Sequence, residues 1–82
     1  MKAFTYPAGE PVNEDGLVEL NQVSFVASAE TIRAVAQFLI EAADKMEILG
    51  DSYDHLHLQD SCSSWKENWP DIIICKKHEE KI

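Results

Sequence analysis

The chain has 82 residues, enough for one domain and no more. Fifteen acidic residues against seven basic ones give a formal net charge of -8. That surface repels phosphate backbones and anionic membranes, which argues against nucleic acid and membranes as partners and favours a basic one.

"AFTY" (3–6) is a short strand candidate, stopped by Pro7. Residues 7–16 place Pro7, Gly9, Pro11 and Gly16 among acids and read as a loop. "LVELNQVSFVAS" (17–28) is rich in strand formers. Its alternation changes phase, since Val18 and Leu20 share one face while Val23, Phe25 and Ala27 share the other. A bulge near Asn21-Gln22 produces such a slip, and so does burial of one end on both faces.

A helix over 29–49 follows. The Ser28 hydroxyl is placed to cap its N-terminus, and Glu30 sits favourably in the first turn. Ile32, Val35, Ala36, Leu39, Ala43 and Met46 recur at steps of three and four, with Phe38 and Ala42 widening the apolar stripe. Arg33, Gln37, Glu41, Asp44 and Lys45 form the opposite face, and Glu41 and Lys45 have i,i+4 spacing. Gly50 supplies the terminator.

"HLHLQ" (55–59) alternates as a half-buried strand with Leu56 and Leu58 inward. "DIIICKK" (71–77) is a continuous β-branched run suited to a strand covered on both faces. Between them, 60–70 is a polar connection carrying Trp65 and Trp69, and 78–82 reads as a frayed tail. The order β-β-α-β-β predicts an α+β fold, with one long amphipathic helix packed on a small, mostly antiparallel sheet. All of this forms a single domain over 1–82, in which 1–16 supply the N-terminal strand and loop.

"DHLHLQD" (54–60) poses the main chemical question. Strand geometry puts His55 and His57 on one face, about 7 Å apart. A catalytic zinc needs a third protein ligand, and Asp54, Asp60, Cys62 and His78 are the available donors without diagnostic spacing. His55, His57 and Asp60 are therefore weak metal candidates, set against histidines that simply face solvent or a partner. Trp65 and Trp69 stand four apart, as interface anchors or as a lid on a small core. Glu41, Asp44, Glu47, Asp51 and Asp54 concentrate negative charge at the helix C-terminal half, where they oppose the macrodipole, which suggests a field used for binding. Ser61, Cys62, Ser63 and Ser64 lack a recognisable base and orienter. Glycines are too scattered for a phosphate loop, so no cofactor is expected. Cys62 and Cys75 read as reduced thiols, and the N-terminus has no long apolar run, which together indicate the cytoplasm.

Residues 23–60, followed by "WPDIIIC" (69–75), resemble a family of small bacterial immunity proteins, immunity protein thirty-two, that accompany polymorphic secreted toxins. The matching features are the strand leading into a capped helix with "FL" and "AAD" (Phe38, Leu39, Ala42, Ala43, Asp44), the "HLHL" strand (55–58) and the "DIII" strand (71–74). The paired histidines and the tryptophan-bearing loop are its more specific part, and the likeness covers about half to two-thirds of the chain. It implies a non-enzymatic cytoplasmic antidote that binds and blocks one cognate toxin, and the acidic surface suits a basic toxin. Glu41, Asp44, Glu47, Asp51, Asp54, His55, His57, Trp65 and Trp69 are the partner-binding candidates. A small metal-binding protein or metal-dependent enzyme using His55 and His57 is the alternative, and a structural homo-oligomer, such as a homodimer, is a further one.

Overall fold

The computed structural model describes residues 1–5 and 18–77. The loop expected over 7–16, the tail from 78 and His78 lie outside the described residues. Strand β1 (Ala3–Thr5) pairs antiparallel with β2 (Val18–Leu20), matching Ala3 to Leu20 and Thr5 to Val18. Helix α1 spans Ala29–Leu49. A single 3-10 turn over Gly50–Ser52 leads to β3 (His55–His57). A one-turn helix α2 (Leu58–Ser61) follows directly, and β4 (Ile73–Cys75) returns antiparallel to β3. The fold is therefore α+β, and among the described residues the strands form two separate two-stranded ribbons rather than one sheet.

The sequence's helix signals act as expected. Ser28 Oγ accepts from Thr31 N at 3.2 Å, satisfying one of the unpaired first-turn donors. At the other end Gly50 has φ 53°, the positive region that costs a side-chain-bearing residue and not glycine. Its N–H bonds back to the Met46 carbonyl.

The strands are shorter than their apolar runs. Residues 21–28 form no strand, so the phase slip reflects a chain that leaves β2 after Leu20 and runs on, exposed, to the helix. "DIIIC" is not a central strand: β4 has one neighbour, and Ile73 is 47% exposed. "HLHLQ" ends as a strand at His57, because Leu58 turns into α2 while its N–H still bonds Ile72 O at 2.8 Å. Leu58 is nevertheless inward, as its alternation predicts, and is 1% exposed.

Among the described residues the buried core is Phe38, Ala42, Tyr53 and Leu58. Helix α1 rests against the 3-10 turn and α2. It does so along the line of Val35, Phe38, Ala42 and Met46, all buried or half-buried. Ile32, Ala36, Leu39 and Ala43 lie on the adjoining side and are exposed. The apolar arc of α1 is thus wider than the surface that covers it. Its covered half is centred on Phe38, the largest side chain in the arc, with Ala42 one turn on, where a small side chain lets the neighbouring chain come close.

This division predicts unequal costs along one helix. Phe38→Ala lowers unfolding stability by about 3–5 kcal/mol, the usual cost of emptying a buried aromatic site. Leu39→Ala, one residue on, costs under about 1 kcal/mol because much of that side chain already meets water. Urea denaturation of the two variants, followed by circular dichroism, checks the ratio.

Candidate functional site

The histidine strand is built by ties from the residues around it. Pairing of β3 with β4 sets His55 opposite Cys75 and His57 opposite Ile73. The two imidazoles share a face, with ring centroids 5.0 Å apart and planes at 73°. Each ring has its Nδ1 on a carboxylate. His55 Nδ1 donates to Asp54 Oδ2 at 2.5 Å, and His57 Nδ1 donates to Asp71 Oδ2 at 2.5 Å. The ionised carboxylates only accept, so each Nδ1 carries a proton.

The two pairs differ in environment. Asp54 is 84% exposed, so its contact with His55 is worth little. Asp71 is 23% exposed and holds more than the histidine. Its Oδ1 accepts from the Gln59 backbone N–H at 2.9 Å, which caps the first turn of α2 from a residue twelve positions away. Burial works to raise the Asp71 pKa. The hydrogen bonds from His57, Gln59 N–H and Ile72 N–H, with the His57 charge, outweigh it and hold the carboxyl below its ordinary 3.8.

Two further ties fix the same region. Ser61 Oγ donates to His57 O at 2.8 Å, and Tyr53 OH donates to Ile74 O at 2.7 Å. Burial raises the Tyr53 pKa, and electrostatic repulsion from the neighbouring Cys75 and Asp54 works in the same direction, so the phenol stays a donor at neutral pH. Neither Tyr53 nor the linking role of Asp71 stands out in the sequence. Tyr53 follows a helix end without a pattern, and Asp71 reads as the polar start of an apolar run.

The remaining candidates are distributed around this strand. Glu41, Asp44 and Glu47 step around α1 by about 60° each, so the first and last point about 120° apart. Glu41 lines a shallow hollow of about 200 Å³ between α1 and residues 61–63, together with Gln37, Phe38, Ser61 and Ser63. No ion pair joins Glu41 to Lys45 among the described residues. Asp51 meets Lys76 Nζ at 3.7 Å on the open surface. Trp65 and Trp69 are both half-buried. They lie in successive turns, closed by Trp65 N to Cys62 O and Trp69 N to Lys66 O, rather than on one helical face. Trp65 Nε1 donates to Pro70 O at 3.4 Å. Cys62 is half-buried and Cys75 exposed, and both are free thiols.

Asp60 is exposed on α2. Among the described residues, no group of three or more His, Cys, Asp or Glu side chains is placed to hold a metal ion. Among the same residues, no helix is long and apolar enough to cross a membrane.

A family model described as Immunity protein 32 matches residues 22–77. That span runs from the approach to α1 through β4 and contains every candidate contact residue named above. No curated protein and no solved structure matches the chain.

The Asp71 ties set a pH dependence. A carboxyl whose folded pKa lies below its unfolded value contributes stability that is present above the unfolded value and lost as pH falls through the folded one. Asp71→Asn leaves the two backbone-facing strands in place and removes the charge-assisted bonds. It lowers stability at pH 7 by about 1–3 kcal/mol and flattens the decline below about pH 4 that the unsubstituted protein shows. Urea titrations at a series of pH values measure both effects.

Proposed function

The chain belongs to the immunity protein 32 family, and from that premise we propose that it neutralises a cognate bacterial toxin by binding it directly, in the cytoplasm, without chemistry of its own. The family match over residues 22–77 carries this reading. The net charge of -8 supports it, because an acidic surface attracts a basic cleft and speeds encounter with it.

The candidate contacts in this proposal are the acids Glu41, Asp44, Glu47, Asp51 and Asp54 with His55, His57, Trp65 and Trp69, spread around the C-terminal half of α1 and the segments after it. The hollow beside Glu41 suits a basic side chain of the toxin, whose aliphatic stem would lie on Phe38 while its head meets the Glu41 carboxylate and the serine hydroxyls. His55 and His57 have their Nδ1 atoms engaged by carboxylates, which leaves Nε2 as the ring atom that would meet the toxin. The tryptophans are held by their turns with part of each indole open, which suits an anchor that loses little entropy on binding.

Association kinetics with a candidate cognate toxin test the proposal. Replacing Glu41, Asp44 and Asp54 together by lysine slows association by about tenfold or more at low salt, and added salt narrows the difference. Equal rates for the variant and the unsubstituted protein would remove the electrostatic steering. No binding by the unsubstituted protein would remove the antidote reading altogether.

A further inference from the structure

We infer that the uncovered apolar side of α1 is a self-association surface, on which a second copy of this chain lays the same helix antiparallel to form a two-fold dimer. The surface consists of Ile32, Ala36, Leu39, Ile40 and Ala43, all exposed, with Ile32 41%, Leu39 43% and Ile40 56% open to water. Ala29, Ala36 and Ala43 recur every seven residues, and Ile32, Leu39 and Met46 recur at the same interval. Those are the two apolar positions of a helix-pairing seam, whose exposed part runs from Ala29 to Ala43, about two heptads, before Met46 turns to the covered side. The alanines allow two axes to approach to about 8 Å, the near end of the packing range. The occupant that fits such a seam is a helix.

Charge identifies which helix, and in which direction. Arg33 borders the seam near its start, and Glu47 borders it near its end. Along α1 they are about 21 Å apart, too far to meet within one chain. Among the described residues neither belongs to an ion pair. Two copies laid antiparallel about an axis near Ile40 bring Arg33 of each copy against Glu47 of the partner subunit, so the pair forms twice. A parallel arrangement would keep Arg33 of one copy and Glu47 of the partner subunit at opposite ends of the seam, about 21 Å apart, so neither pair would form. The pattern is self-complementary in one orientation only, as a two-fold interface requires. The net charge of -8 on each copy opposes association at long range. At physiological ionic strength charges are screened beyond about 8 Å, so the groups bordering the seam decide the balance.

The test uses the purified full chain alone and does not depend on any toxin. Sedimentation equilibrium over a concentration series is expected to show a species of twice the 9.3 kDa chain mass. Ile40→Lys is expected to leave a monomer with unchanged helical circular dichroism. Arg33→Glu and Glu47→Arg each set two like-charged pairs in the dimer and raise its dissociation constant by about tenfold. Combining them restores the pairing in reverse, and the double variant returns to within about threefold of the unsubstituted protein. The charge variants keep the test decisive if Ile40→Lys fails to fold. A chain that stays monomeric at every concentration overturns the proposal, and so does a dimer unaffected by Ile40→Lys. A double variant no tighter than the single ones overturns the antiparallel arrangement.

Discussion

The Asp71 carboxylate is the interaction on which the second half of the chain depends. One oxygen takes the His57 ring and the other takes the Gln59 backbone N–H. Both donors belong to the stretch where β3 stops and α2 begins. That change of direction exposes backbone groups that neither a three-residue strand nor a single helical turn satisfies unaided. A charged acceptor on the facing chain supplies what local structure lacks. It also carries Leu58 into the core against α1.

A core built on Phe38, Ala42, Tyr53 and Leu58 is small even for a chain of this length. Each part of the second half accordingly serves two purposes. Tyr53 fills space and binds the Ile74 carbonyl, and Asp71 caps a helix turn and orients an imidazole. Helix α1 carries more apolar surface than its own fold covers. An apolar strip of this length, running from Ala29 to Ala43, is more than a small monomer ordinarily leaves in water.

The sequence displays local causes and conceals long-range ones. Ser28 and Gly50 mark the ends of α1 because a cap and a terminator are one-residue properties, and the helix runs between them as read. The apolar stripe predicts a helix correctly but does not say which half is covered. Phe38 and Ala42, read as its margin, turn out to be its centre. Strand lengths were the least legible element, since a β-branched run extends only as far as it has a neighbour to pair with. The shared face of His55 and His57 follows from their alternation and is present in the structure. The partner that orients His57 lies fourteen residues away in a segment whose pattern speaks only of burial, and no local signal connects the two.

Three of the ties around the histidine strand run from a side chain to a backbone group: Asp71 to Gln59 N–H, Tyr53 to Ile74 O, and Ser61 to His57 O. A backbone group is the same whatever side chain it carries, apart from the missing N–H of proline. Positions 57, 59 and 74 can therefore change identity while these three bonds persist. Scaffold and outward surface are to that degree separate variables. A chain wired in this way can change the outward side chains of β3 by single substitutions while these backbone ties keep the strand in place.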